Sequence, residues 1–211
     1  MLKKYSTDYE ASHITGQKLL QFFRVKLKCS RKGTAMNILG MFTTRAGEIV
    51  TLRLIQKGDA TLLVDLFYHL SPESKRLRFH LYTTKLPEEQ VWDAAKSLSD
   101  LDPQRQAAII GTIIEADGQE HAVGVARFAR SHSTSNEAEV AVVVRDDFQR
   151  KGLGKHLLIV LADKAREIGV EYFTAWVMSE NIRLMKLIRG MELKNMESET
   201  RYGETKIRVP I

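Results

Sequence analysis

The chain has 211 residues, 44% apolar and 27% charged, a balance that excludes general disorder and allows one good-sized core rather than two full domains. Its one cysteine, Cys29, excludes an internal disulfide and fits a reducing cytoplasm, while the opening MLKKYSTDYEASH lacks a signal-peptide core and no apolar run approaches the roughly 18 residues of a membrane span. The net charge of +6 is lopsided, with nine Lys and Arg against Asp8 and Glu10 in residues 1–47 but 23 basic and 24 acidic side chains after them; with no aromatic–basic stacking pattern or zinc-knuckle spacing, this argues against a nucleic-acid partner.

Residues 1–47 read as a basic N-terminal extension and 48–211 as the main domain. Within the extension, "GQKLLQFFRVKLKCSRKG" fits neither period: Phe22 to Leu27 alternate like a strand, whereas Leu19, Leu20 and Phe23 share a helix face. "EIVTLRLIQ" then reads as a strand that Gly58-Asp59 ends. "DATLLVDLFYHL" follows with helical spacing and Asp59 at the N-cap. "SPESKRLRF" offers Ser71 as a cap and Pro72 at the first helical position, and a further helix is expected over Pro87 to Leu98. "RQAAIIGTIIEA" and "HAVGVARFARS" are two strands joined by an Asp117-Gly118 hairpin signal, and "NEAEVAVVVR" is a third. After a helix come the strand "VEYFTAWVM", the short helix "ENIRLMKLIRG" and the closing strand "YGETKIRVPI". The body reads β-α-α-β-β-β-α-β-α-β, a mixed α/β domain with a largely antiparallel centre.

The stretch "VVVRDDFQRKGLGKHLLIVLADKA", Val142 to Ala165, carries the chemistry. It is not a P-loop, because His156 stands where the magnesium-binding hydroxyl belongs. It is not a dinucleotide fingerprint, because Leu157 replaces the third glycine. What remains is a strand, a glycine-rich turn and a helix whose start can hold an anion. Backbone amides from Arg150 to Lys155 can converge there, Gly152 and Gly154 remove the Cβ atoms, and Arg150, Lys151 and Lys155 add charge. Leu153, Leu157, Val160, Leu161, Ala165 and Ile168 give the helix one apolar stripe. The alternative reading is an ordinary strand-to-helix turn with a solvated basic face.

The spacing Gln149-x-x-Gly152-x-Gly154 after a valine-rich strand resembles the pyrophosphate signature of the GNAT acetyltransferase superfamily, and the element order resembles that fold over 48–211. Within it, "SPESKRLRF" and "AEVAVVVRDDFQRKGLG" are similar to bacterial protein-lysine acetyltransferases that act on acyl-CoA synthetases. The resemblance implies a central, mostly antiparallel sheet flanked by helices, acetyl-CoA as co-substrate, and an amine acceptor, a protein lysine above others. It implies that Gln149, Arg150, Lys151, Gly152, Leu153, Gly154 and Lys155 hold the pyrophosphate. Val142, Val143 and Val144 would line the pantetheine arm with their main chain, and Asn181 would touch that arm, although Ser179 and Asn181 are also good N-caps. A lysine amine of pKa near 10.4 is almost wholly protonated at neutral pH, so a base is needed. Glu139 is expected to be that base, with Glu137 as the fallback, the other reading being a solvated carboxylate at a strand start. The tyrosine that often protonates the leaving thiolate is replaced by Ile188, and the usual helix ending is blurred at Gly190-Met191, so no general acid is assigned.

The six histidines show no ligand spacing and no metal site is expected. Arg145, Asp146 and Asp147 should fix the turn, the alternative being an acidic pair that meets a lysine substrate, and Trp92 and Trp176 read as core. The rival functions are a small-amine or antibiotic acetyltransferase, an acyl-CoA sensor that binds without catalysis, and a basic nucleic-acid module. Nothing in the sequence indicates an oligomeric state.

Overall fold

Apolar, largely β-branched runs, continuous in the centre of the sheet and alternating with polar residues in the closing strand, build the expected strands in the computed structural model, which describes residues 37–79 and 86–211. The readings of the basic segment before residue 37, with His13 and Cys29, and of His80 lie outside the described residues. The order is β1 (Ile38–Thr43), β2 (Ile49–Leu54), α1 (Ala60–Tyr68), α2 (Pro72–Phe79), α3 (Glu88–Ser99), β3 (Gln106–Ile114), β4 (Glu120–Ala129), β5 (Glu137–Val144), α4 (Leu153–Glu167), β6 (Tyr172–Met178), α5 (Ile182–Arg189), β7 (Glu197–Arg201) and β8 (Glu204–Pro210). Among the described residues the strands form one sheet in the order β1-β2-β3-β4-β5-β6-β8-β7. Every neighbouring pair is antiparallel except β5 and β6. This is the mixed, mostly antiparallel sheet with flanking helices that the sequence implies.

The order departs from the expected one in three places. Ile38–Thr43, inside the stretch read as extension, is an edge strand paired with β2, because Gly47 at φ 91° lets the chain turn back from Thr44. Three helices separate β2 from β3, one for each helical segment read in the sequence, where the condensed element order counts two. The strand β7, sequence ESETR, is exposed at all five positions and so carries no apolar alternation. A smaller correction concerns Asp59. It stands at the N-cap of α1 but makes no cap bond there, because its carboxylate accepts from Arg53 at 2.6 and 2.9 Å and from the Gln56 amide at 2.8 Å. By contrast, Ser71 caps α2 as expected, its Oγ accepting from the Ser74 amide at 3.2 Å.

The sheet separates two apolar clusters. On one face α4 buries Leu153, Leu157, Leu161 and Ala165 against Val50, Ile109, Val123, Phe128, Phe173 and Val177, each fully buried leucine stabilising by about 1.5–3 kcal/mol. Gly124 makes this approach possible: a Cβ there would lie 3.0 Å from Leu157 Cδ1 and 3.3 Å from the Val143 carbonyl oxygen. On the other face Leu66 and Leu70 pack against Ile55, Ala108, Ile110, Ala122 and Val125.

The pairing of β5 and β6 is what positions the site. It covers Glu137–Tyr172, Ala138–Phe173 and Glu139–Thr174 and then stops. Beyond that point β5 stays with β4 as far as Val144, while β6 stays with β8 as far as Met178. The two parallel strands diverge, and the edge of β5 from Val140 to Val144 is open. No helix among the described residues is long and apolar enough to cross a membrane.

Candidate active site

At the end of β5 a braced turn leads into α4. Arg145 donates to Asp147 at 2.8 and 2.9 Å and pairs with Glu115 at 2.7 Å, which fixes the short 3-10 turn Asp146–Phe148. Asp146 accepts from the Ser71 amide at 2.8 Å, Ser71 Oγ at 2.9 Å and Ser74 Oγ at 2.8 Å. Burial opposes the ionised form of Asp146, but these hydrogen bonds outweigh it and hold the carboxyl below its ordinary pKa. They also tie the start of α2 to the turn, so the two sequence blocks of the resemblance meet in space. The expected turn-fixing role of Asp146 and Asp147 is what the geometry gives.

The turn then presents amides. Arg150 has φ 62° and Gly152, the N-cap of α4, has φ 93°. A Cβ on Gly152 would lie 3.3 Å from Phe42 Cζ. Gly152 offers no side-chain acceptor, so among the described residues the first helical amides, those of Leu153, Gly154 and Lys155, have neither an intrahelical partner nor a cap. At the start of a 15-residue helix this arrangement suits an anionic ligand.

The side chains expected at this turn divide. Gln149 braces the protein: its Nε2 donates to the Val144 carbonyl and to Ser74 Oγ, each at 3.1 Å. Lys151 pairs with Glu48 and lies over the Phe148 ring at 4.8 Å, and Lys155 donates to the Gly190 carbonyl at 3.1 Å. Leu153 is 0% exposed and belongs to the core, so only its amide can serve a ligand. Gly154 is less cramped than Gly152, since a Cβ there would make only ordinary contacts at 3.5 and 3.7 Å. Val140, Val142 and Val144 pack toward α4, while Val143 turns to the opposite cluster. Asn181 caps α5, its Oδ1 accepting from the Leu184 amide at 3.0 Å, which is the alternative the sequence left open.

Glu139 stands at the point of divergence, opposite Ala129 on β4 and Thr174 on β6. It lines an open cleft of about 520 Å³ with Arg78, Arg127, Glu137, Ala141 and Thr174. No hydrogen bond or ion pair engages Glu139 among the described residues, whereas Glu137 accepts from Arg208 Nε at 2.7 Å. Sequence reasoning missed Arg78 and Arg127. The available signal was an arginine at position 127 within the otherwise apolar run "AVGVARFA". Trp176, read as core, is 51% exposed, because β5 has left β6 before that position and the ring meets the Lys206 ammonium, 5.6 Å from its centroid, rather than a neighbouring strand. Ile188 is buried in the core. Among the described residues no group of three or more His, Cys, Asp or Glu side chains could hold a metal ion.

Comparison with known proteins adds four findings. The model of the acetyltransferase (GNAT) family matches residues 67–191. Acetyltransferase Pat of Mycolicibacterium smegmatis is 29% identical over 178 residues, covering 79% of this chain; the chain spans 47% of that relative's length. The GNAT domain of S. lividans PAT superposes with a TM-score of 0.69 at 24% identity, covering 82% of this chain and 96% of that one. A second structure, yncA from Salmonella typhimurium solved with its cofactor acetyl-CoA, gives a TM-score of 0.52 at 18% identity, covering 76% and 93%.

Proposed function

The chain belongs to the acetyltransferase (GNAT) family, and from that premise we propose that it transfers an acetyl group from acetyl-CoA to an amine, a protein lysine, with Glu139 as general base. The observation that carries this reading is one continuous line: uncapped amides at the start of α4, an open edge along Val140–Val144, and, where the edge begins, a carboxylate that no hydrogen bond or ion pair engages among the described residues. Five residues of strand put about 17 Å between that carboxylate and the turn, room for an extended arm.

The amides of Leu153, Gly154 and Lys155 would hold the pyrophosphate, with Arg150, Lys151, Gly152 and the Gln149 brace shaping the turn. The main chain of Val142, Val143 and Val144 would pair with the pantetheine arm, and Asn181 would flank it. Acetyl-CoA supplies the activated acyl thioester. Glu139 accepts the proton of the acceptor ammonium, the freed amine nitrogen bonds to the acyl carbon, the carbon–sulfur bond breaks, and the second nitrogen proton passes through solvent to the released thiolate. The departing thiolate, with an intrinsic pKa near 8.5, can leave without a dedicated acid. The pairing of Glu137 with Arg208 supports Glu139 over its neighbour. The protein-lysine acceptor rests on the likeness of the "SPESKRLRF" and "AEVAVVVRDDFQRKGLG" blocks, and an acyl-CoA synthetase is the favoured partner. A reducing cytoplasm, suggested by the single cysteine, is the proposed setting.

The experiment is incubation of the full chain with acetyl-CoA and a panel of acyl-CoA synthetases and small amines, read by thiol release and by mass of the acceptor. An acetylated synthetase lysine supports the whole reading. Turnover on small amines alone would remove the lysine acceptor, and acetyl-CoA binding without turnover on any acceptor would favour a sensor.

A further inference from the structure

Two buried side-chain nitrogens have no hydrogen-bond partner among the described residues, Nε of Arg78 and Nη1 of Arg127. Both side chains line the cleft that holds Glu139. The fold treats its other buried arginines differently. Arg53 is held by Asp59 and Glu120, and Arg145 by Asp147 and Glu115. Arg130 donates to the carbonyls of Ser135, Ile168 and Gln104. A buried cationic donor without an acceptor is strongly unfavourable, and native folds rarely leave one without a reason. Burial, and then the neighbouring charge of Arg127, push Arg78 down to about 10, against the pull of Glu139. Burial also lowers Arg127. Both stay charged at neutral pH, so this part of the cleft is cationic. The sequence that follows α2, residues 80–85, reads HLYTTK and holds no carboxylate.

We infer that Arg78 and Arg127 form a carboxylate-binding subsite, so that the acceptor presents an acidic group beside its reactive amine. This rests on the acetyl-transfer reading of the site and adds the acceptor's chemical class. Arg127 faces Ala141, and Ala129 faces Glu139, across the β4–β5 ladder. Arg127 is therefore one diagonal step from Glu139, about 7 Å along the sheet surface. An amine at Glu139 and a carboxylate at the guanidinium groups fit on one compact molecule. Two sources satisfy that chemistry: the α-carboxylate of a free amino acid, and an acidic side chain flanking a peptide lysine.

The test is calorimetric titration of the full chain, saturated with coenzyme A, using two matched pairs of probes. One pair is L-leucine and L-leucinamide, and the other is a capped Asp-Lys-Asp peptide and its Asn-Lys-Asn twin. In at least one pair the acid should bind about tenfold or more tightly than its neutral twin, the scale of a hydrogen bond to a charged group. In Arg127→Gln and in Arg78→Gln that advantage should shrink to about twofold or less. A preference in the leucine pair identifies a free amino acid, and one in the peptide pair identifies an acid-flanked lysine. Equal or absent binding of acid and neutral twin in both pairs overturns the subsite, and that comparison needs no variant to fold. Thiol release from acetyl-CoA on the same probes separates the two readings. A carboxylate preference without thiol release would sink acetyl transfer and leave the subsite standing, whereas equal release on acid and neutral twins would sink the subsite alone.

Discussion

Glu137 and Glu139 sit two residues apart on one face of β5, yet their surroundings give them different work. Glu137 is spent on Arg208 at 2.7 Å, and Glu139 has no such partner among the described residues. Glu139→Gln is expected to lower turnover about 10²- to 10⁴-fold, the usual range for general-base help, with acetyl-CoA affinity unchanged. Glu137→Gln should change turnover little and leave stability nearly unchanged, because its ion pair is open to solvent. A thiol-release assay beside urea unfolding checks both, and equal losses in the two variants would remove the assignment. A second residue sets a pH response. Asp117, then Asp65, raise His121 above its ordinary value of 6.5 through hydrogen bonds at 3.0 Å, with Glu115 adding to the pull. The stabilising contribution is complete below pH 6.5 and lost as pH rises through the higher folded value. Raising the pH from 6 to 8 should therefore lower the melting temperature by about 1–3 °C, since His121 is close to solvent, and His121→Gln should flatten that slope.

At the scale of elements, the start of α4 depends on a backbone that only glycine adopts easily and on a brace drawn from another helix. Gly152→Ala would put a Cβ on a residue at φ 93° and 3.3 Å from Phe42 Cζ. The expected cost is about 1–2 kcal/mol, with acetyl-CoA binding weakened further as the amides shift. Asp146→Asn would weaken the contacts of Ser71, Ser74 and Gln149 together and should destabilise by about 2–3 kcal/mol in urea unfolding. Unchanged stability in Asp146→Asn would mean that α2 is held by packing alone. The sequence made the glycine turn, the stripe of α4 and the strands β3 to β6 legible, because each rests on local period or on backbone permission. It hid β7, where an exposed edge strand needs no apolar alternation, and β1, which lay in a stretch dominated by its charge. It hid the role of Asp59, since the competing donor, Arg53, is a side chain in a buried ion pair rather than a helix amide. The Arg78–Arg127 pair was illegible for the same kind of reason, as a helix end and a strand middle meet only in the folded sheet.

The whole molecule is a sheet that its own strands leave unfinished. Three residue pairs join β5 to β6, after which each follows a different neighbour, so beyond that junction the two halves of the sheet are held together by the shared core under α4 rather than by strand pairing. An extended ligand in the gap would complete hydrogen bonds on the open edge of β5 and touch the start of α4, binding the native state and not the unfolded one. At 100 times its dissociation constant such a ligand adds about 2.7 kcal/mol of stability, which for a chain of this size raises the melting temperature by about 5–10 °C. The stabilisation should also be local in hydrogen exchange. Alternate amides between Val140 and Val144, those that face away from β4, and the amides of Leu153, Gly154 and Lys155 should slow when acetyl-CoA is added. The β3–β4 ladder, already paired along nine positions, should change far less. Protection confined to the turn would mean that the anion is held but the arm does not pair with β5, and protection elsewhere alone would take the ligand out of the gap between β5 and β6.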